Sequence, residues 1–130
     1  MKPNNKDKDG KPKHGPDKEY FADGSLACEG MYDNGKKVGE WKFYIRNGQL
    51  KGVGKFADDA CDGPWKWWRE NGKPLQEGMF EKGKQIDLWK RYYDTGELYD
   101  EGMYSPDGKK MGEWKTYDKA GHVTRTKIFK

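Results

Sequence analysis

The chain has 130 residues, a formal net charge of +4, and 37% charged against 32% hydrophobic residues. This length fits one domain, the low hydrophobic content argues against a bulky aliphatic core, and no apolar run approaches the roughly 20 residues of a membrane-spanning helix. Aromatic residues make up 15% of the chain and glycine occupies 18 positions, which argues against disorder and favours short strands joined by glycine turns.

The two ends of the chain differ from its middle in charge. We expect residues 1–16 to form a polar, flexible N-terminal segment and residues 17–130 to form a single domain of about five β-hairpin units. The start lacks the apolar stretch of a signal peptide, so a cytoplasmic protein is expected, with export after removal of a signal left open.

Residues 1–18 carry +3 and residues 109–130 carry +5, so residues 19–108 sum to −4. No specific nucleic-acid partner is therefore expected, and only weak contact of the basic ends with a membrane surface.

The strongest pattern is a repeat of four tryptophans, each followed by a lysine, at spacings of 24, 24 and 25 residues. These are Trp41, Trp65, Trp89 and Trp114. A period of this length indicates stacked supersecondary units, and each unit is long enough for two short strands and two turns. We therefore predict an all-β fold, an elongated antiparallel meander of stacked β-hairpin repeats with about eight to ten strands.

A glycine turn inside each hairpin predicts the strand register. Asn47-Gly48 favours a two-residue type I′ turn, which needs positive φ at both residues. Counting outward from this turn and its equivalents places each indole opposite a glycine, which leaves room for the ring. The predicted pairs are Trp41 with Gly54, Trp65 with Gly78, and Trp89 with Gly102. The same counting pairs Tyr44 with Lys51, and residues 123–129 are expected to form a charged edge strand.

Two stretches of the chain are near copies of one motif, NGKKVGEWKFYIRNGQL at residues 34–50 and DGKKMGEWKTYDKAGHV at residues 107–123. They resemble the MORN-variant repeat, and the resemblance extends over about residues 9–130. This longer variant, with tryptophan–lysine followed by tyrosine, is similar to the bacterial family of YwqK-type antitoxins. The resemblance implies a hairpin ribbon without catalytic activity. In bacterial members it implies the antitoxin or immunity partner of a toxin, and in MORN proteins more broadly it implies scaffolding and membrane association.

No constellation of catalytic residues is visible, so we expect a protein that is not an enzyme and that has no cofactor and no metal site. His14 and His122 lie far apart in the sequence, and no pair of histidines has metal-ligand spacing. Cys28 and Cys61 form no CxxC motif. Two free thiols are expected, with a single disulfide as the alternative.

Two clusters supply the candidate binding residues, which are Trp67, Trp68, Arg69, Arg91 and Tyr93. Tryptophan, tyrosine and arginine are the residue types enriched at binding hot spots. Trp68 also belongs to an aromatic column of the repeat, and packing against the adjacent hairpin is the competing interpretation of Trp67. The favoured function is a non-enzymatic module that binds a protein partner, with an antitoxin or immunity protein of a toxin as the expected type. The alternatives are a carbohydrate- or choline-type ligand module built on aromatic cages, and a membrane-associated scaffold that uses the basic ends.

Overall fold

The structure, a computed structural model, describes residues 5–130, of which residues 15–129 form one ten-stranded antiparallel sheet. The strands follow chain order without a crossover, which confirms the predicted all-β meander of stacked hairpins. They are β1 (Gly15–Tyr20), β2 (Leu26–Asp33), β3 (Lys36–Tyr44), β4 (Leu50–Ala57), β5 (Ala60–Trp68), β6 (Pro74–Glu81), β7 (Lys84–Tyr92), β8 (Leu98–Tyr104), β9 (Lys110–Tyr117) and β10 (Val123–Phe129). The predicted edge strand is β10. Within the described residues, no helix has both the length and the apolar character needed to cross a membrane.

The first strand begins at Gly15, two residues before the predicted start of the domain. Lys13, two residues before this strand, already contacts it. Its ammonium binds the carboxylates of Asp17 and Glu19 at 2.9 and 2.8 Å. The flexibility predicted for residues 1–16 stays a prediction, and the first four of these residues lie outside the described part of the chain.

The turn inside each hairpin differs from the predicted type I′ turn. In the β3–β4 turn, the backbone NH of Ile45 donates to the carbonyl of Gln49 at 3.0 Å, and that of Gly48 donates to the carbonyl of Ile45 at 2.9 Å. Gly48 has a φ of 89° and its neighbour Asn47 is not in the positive region. This is a type I turn followed by a glycine bulge. The bulge shifts the register, so Tyr44 pairs with Leu50 and the predicted pairing with Lys51 is wrong.

Type I′ turns do occur in the connections between successive hairpins, at the other ends of the strands. Both central residues have positive φ in Asn34-Gly35, Asp58-Asp59 and Lys82-Gly83. The last such connection, between β8 and β9, is one residue longer and again uses the type I turn with a glycine bulge, because the NH of Gly108 donates to the carbonyl of Ser105. This extra residue accounts for the spacing of 25 between the last two tryptophans of the repeat.

Each tryptophan-bearing strand carries a bulge just before the indole. On β3, two extra residues stand opposite Gly30, and the first of them, Gly39, has a φ of 67°. The equivalent residues are Gly63, Asp87 and Gly112, with φ of 80°, 58° and 69°. The bulge turns the indole of Trp41 onto the preceding strand, where a Cβ on Gly30 would stand 2.1 Å from the ring.

The indoles therefore lie on different glycines from those predicted. The backbone pairs of Trp41 with Gly54, Trp65 with Gly78 and Trp89 with Gly102 are confirmed. The prediction that each indole covers its paired glycine is wrong, because the bulge directs the ring to the glycine of the preceding hairpin. The contacts are Trp41 on Gly30, Trp65 on Gly54, Trp89 on Gly78 and Trp114 on Gly102. Each indole NH donates to the carbonyl of the residue after that glycine, at 3.0 to 3.1 Å.

The core is an aromatic column on one face of the sheet. Five rings stack with centroid separations of 6.3, 6.1, 5.4 and 5.9 Å, namely Trp41, Phe43, Trp65, Trp67 and Trp89. Further rings close the column edge-on, as Tyr32 does against Trp41 at 5.1 Å. On the other face, tyrosine hydroxyls donate to glutamates at 2.6 Å in the pairs Tyr44–Glu29, Tyr92–Glu77 and Tyr117–Glu101.

Candidate functional site

The aromatic column is interrupted at Arg91. Phe43 and Trp67 fill the equivalent position in the two preceding units, and each stacks between two indoles. The Arg91 side chain instead binds Asp100, with Nε 3.0 Å from Oδ1 and a terminal nitrogen 2.5 Å from Oδ2. Asp100 is the only buried charged residue among residues 5–130, with 7% of its surface exposed. Its hydrogen bond raises the pKa of the Arg91 guanidinium.

A small cavity opens where the column is interrupted, and we call it the inner cavity. It has a volume of about 160 Å³ and is lined by Gln76, Gln85, Trp89, Arg91, Asp100, Tyr104 and Trp114. Three aromatic rings form its apolar walls. The side-chain amides of Gln76 and Gln85 make no hydrogen bond to any other group of residues 5–130, so donors and acceptors stand free at its margin.

A larger depression, the outer cleft, adjoins the inner cavity and shares Gln76 and Arg91 with it. It has a volume of about 490 Å³ and is also lined by Arg69, Leu75, Tyr92, Tyr93, Asp94 and Tyr99. The rings of Tyr93 and Tyr99 meet edge-on at 5.1 Å, and the Tyr93 hydroxyl donates to the carbonyl of Tyr117 at 2.7 Å. These contacts hold both rings in one orientation at the surface.

Cations of the chain cover both rings in the outer cleft. The Arg91 guanidinium lies 5.4 Å from the centroid of Tyr99, and the Lys119 ammonium lies 5.5 Å from that of Tyr93. Arg69 also lines the cleft, and one of its terminal nitrogens donates to the carbonyl of Tyr92 at 2.8 Å. Its Nε is buried and has no partner in the structure. The cleft therefore combines fixed aromatic rings with arginine donors that retain binding capacity.

The structure brings three of the predicted binding residues together, since Arg69, Arg91 and Tyr93 all line the outer cleft. Trp67 lies in the aromatic column between Trp65 and Trp89. This is a packing position, which is the competing interpretation of this residue. Trp68 follows it in the strand and occupies the place that tyrosines such as Tyr44 and Tyr92 hold in other units. Whether any of the five binds a partner stays a prediction.

Sequence reasoning missed Tyr99, Asp100 and Gln85. Asp100 stands where the other units carry Cys28, Gly52 and Gln76, so an acidic residue on the core face was the signal that could have found it. The two cysteines are free thiols, and burial raises the pKa of both. Within residues 5–130, no three acidic, histidine or cysteine side chains are grouped so that they could hold a metal ion.

The hairpin units coincide with matches to a known family. The family described as "MORN repeat variant" matches residues 13–34, 37–58, 62–82 and 88–105. The chain belongs to this family. Each matched segment corresponds to one hairpin, from β1–β2 to β7–β8. In this MORN repeat protein the fifth hairpin, β9–β10, follows the last matched segment.

Solved structures resemble this MORN protein only in part. One is a single-residue mutant of Staphylococcus aureus TarM in complex with fondaparinux, alpha-GlcNAc-glycerol and UDP, at 12% identity and a TM-score of 0.47. Another is a GtfA/B complex bound to UDP and GlcNAc, at 13% identity and a TM-score of 0.38. They align with 70% and 68% of the present chain, which spans only 18% and 22% of their lengths. No curated protein matches the sequence significantly.

Proposed function

We propose that this MORN repeat protein is a non-enzymatic module that binds a protein partner through the outer cleft. The observation that carries the proposal is that the positions at which the units differ from one another lie together. Arg69, Arg91 and Tyr93 occupy positions at which other units carry different side chains, and all three line one depression. Residues that build the repeat recur, so a cluster of departures from it indicates a purpose other than stacking.

The chemistry of the cleft suits a protein contact. Tyrosine and arginine dominate interface hot spots because they combine a large contact area with directional hydrogen bonds. The edge-on contact and the hydroxyl hydrogen bond of Tyr93 fix its ring before binding, and Asp100 fixes Arg91. Side chains that are already ordered lose less conformational entropy when a partner arrives, which favours affinity.

The partner that we propose is a toxin, with the present chain as its antitoxin or immunity protein. This finer proposal is supported by the resemblance of residues 34–50 and 107–123 to the YwqK-type repeat pattern. Such a protein acts by occupying a surface of its partner and needs no chemistry of its own. A choline-type ligand in the outer cleft is less favoured, because Arg91 and Lys119 already cover the two tyrosine rings that would receive it.

The test compares capture of partners by the parent chain and by the double variant Arg69→Ala/Tyr93→Ala, in lysate of the native organism. We expect one protein to be enriched by the parent and lost with the variant, and a purified pair to show at least about tenfold weaker binding, which corresponds to truncation of a hot spot. A matched control is Tyr20→Ala/Lys18→Ala on β1, which removes a similar aromatic and cationic pair far along the sheet.

Thermal melts of both double variants show whether a loss of binding reflects unfolding. The proposal is contradicted if the two variants and the parent enrich the same proteins to the same extent. The toxin assignment is tested separately by co-expression, since an antitoxin restores growth to cells that produce the captured partner.

A further inference from the structure

Three of the five hairpin units place an ammonium group of their own over the aromatic column. In each case the lysine stands four residues before the position of the repeated tryptophan. The distances from nitrogen to ring centroid are 5.4 Å for Lys13 over Tyr32, 5.5 and 5.2 Å for Lys37 over Trp41 and Phe56, and 4.6 and 5.5 Å for Lys110 over Trp114 and Phe129. These separations are within the range of cation–π attraction. The repeat thus contains a built-in cation position.

The fourth unit lacks this cation. Gln85 stands four residues before Trp89, and the ring pair that corresponds to Trp41 and Phe56 is Trp89 and Tyr104. Gln85 carries no charge, and the inner cavity of about 160 Å³ opens beside it. The third unit has Cys61 at this place.

The walls of the inner cavity complement a cation. Trp89, Tyr104 and Trp114 present aromatic rings, whose negative faces attract positive charge. Arg91 does not oppose this, because its charge is balanced by the buried carboxylate of Asp100 through two hydrogen bonds. The volume is close to that of an engineered cavity of about 150 Å³ that binds benzene, so an ammonium head with part of an alkyl stem fits.

We propose that the inner cavity binds an alkylammonium group from outside the chain, at the position that the ammonium groups of Lys37 and Lys110 occupy over the rings of their own units. For the source of this group the inference rests on the proposed function. The group is the ammonium of a lysine side chain of the bound partner, which enters the inner cavity while the partner occupies the adjoining outer cleft. A free quaternary ammonium compound offers the same chemistry.

The binding test uses tetramethylammonium chloride, titrated into the full chain at constant ionic strength. The NMR signals of the Trp89 indole NH and the Tyr104 ring report on the cavity. We expect them to shift saturably, and neutral tert-butanol, of similar shape, to bind at least about tenfold more weakly because it lacks the charge. Absence of a saturable shift, or equal binding of both probes, overturns the inference.

A substitution tests the site against the repeat itself. Gln85→Lys supplies the missing ammonium, so it is expected to weaken binding of tetramethylammonium at least about tenfold and to melt no lower than the parent. Gln85→Ala keeps the cavity open and is expected to retain binding. Cys61→Lys adds the same charge in the third unit and serves as the matched control, which is also expected to retain binding. Unchanged binding by Gln85→Lys contradicts the proposed site.

The source of the group is distinguished by two further probes. Nα-acetyl-lysine-N-methylamide represents a lysine of a protein, and choline represents a free quaternary ammonium compound. Tighter binding of the first identifies a protein side chain, and tighter binding of the second a small ligand. None of these probes involves the partner, so the two proposals can fail separately. If the probes do not bind but the partner is still captured through the outer cleft, this inference alone is refuted. If the probes bind but no partner is captured through the outer cleft, the proposed function alone is refuted.

Discussion

The indole of Trp65 lies directly on Gly54 of the preceding hairpin, and a Cβ on that glycine would stand 1.9 Å from Cδ2 of the ring. The same indole donates its NH to the carbonyl of Lys55 at 3.0 Å. Each of the first four hairpins is therefore covered by the tryptophan of the next one, through the contacts of Trp41, Trp65, Trp89 and Trp114 with the preceding hairpin. Because the apolar contact of a unit comes from its neighbours, stability is shared along the array and no hairpin buries its core alone.

This relationship predicts the effect of Gly54→Ala. The added methyl group overlaps the Trp65 ring, and the indole cannot move without losing both its burial and its hydrogen bond to Lys55. We expect the free energy of unfolding to fall by at least about 3 kcal/mol, by analogy with the loss of a large core side chain. Urea denaturation followed by tryptophan fluorescence measures this change.

The control for Gly54→Ala is Gly39→Ala, because nothing lies within 4 Å of a Cβ at Gly39. Its cost comes only from the φ of 67°, which is unfavourable for alanine by about 1 kcal/mol. Equal losses of stability in the two variants would show that the indole does not depend on the bare backbone of Gly54.

A second prediction concerns Asp87, which holds the bulge position that is glycine in the other units. Its φ of 58° lies in the left-handed region, which aspartate tolerates better than most residues but less well than glycine. We expect Asp87→Gly to raise the free energy of unfolding by roughly 0.5 kcal/mol, and Asp87→Val to lower it by about 1–2 kcal/mol. Chemical denaturation of the three proteins gives the order, and a valine variant as stable as the parent would contradict the assigned strain.

A third prediction separates packing from binding at Trp67. Its ring stacks between Trp65 and Trp89, at 5.4 and 5.9 Å. We expect Trp67→Ala to lower the free energy of unfolding by about 3 kcal/mol, near the lower end for loss of a large aromatic ring because the residue is only half-buried. Trp67→Phe should cost much less, since Phe43 fills the equivalent position.

The Trp67 variants are followed by thermal and urea denaturation. An alanine variant with an unchanged melt would instead favour an exposed contact residue. In either case the binding test is cleaner with Arg69 and Tyr93, whose side chains line the outer cleft.

The sequence was sufficient for the strand order and for the register close to each tryptophan, because glycines and a 24-residue period leave few other arrangements. It was insufficient at the turns. Asn47-Gly48 is compatible with a type I′ turn and with a type I turn plus bulge, since glycine accepts positive φ in either. It also could not tell which glycine an indole covers, because the two residues inserted before Trp41 leave no mark in the alternation of side chains.

The site was predicted in part for a related reason. Arg69, Arg91 and Tyr93 stand out because they lie at positions that vary between the units and belong to the residue types enriched at binding hot spots. Their convergence in one cleft follows from the bulged hairpins and needed the structure. The missing lysine at position 85 is readable from the sequence only once Lys37 and Lys110 are known to lie over rings.

The last prediction concerns alkaline pH. The hydrogen bond to Glu29 raises the pKa of Tyr44 to about 12, and burial raises that of Tyr32 to about 12. In the unfolded chain these hydroxyls titrate near pH 10. Between these values the native state holds protons that the unfolded state has lost, so stability is fully present below about pH 10 and falls as the pH rises toward 12.

The measurement is urea denaturation at intervals from pH 8 to pH 12. Tyr44→Phe is expected to be less stable than the parent at pH 8, because Glu29 loses the donor that lies 2.6 Å away. Its stability should then decline less steeply above pH 10, because one of the coupled protons is gone. Both proteins contain the same lysines, whose deprotonation therefore cancels in the comparison. Parallel declines would show that the Tyr44 hydroxyl is not coupled to folding.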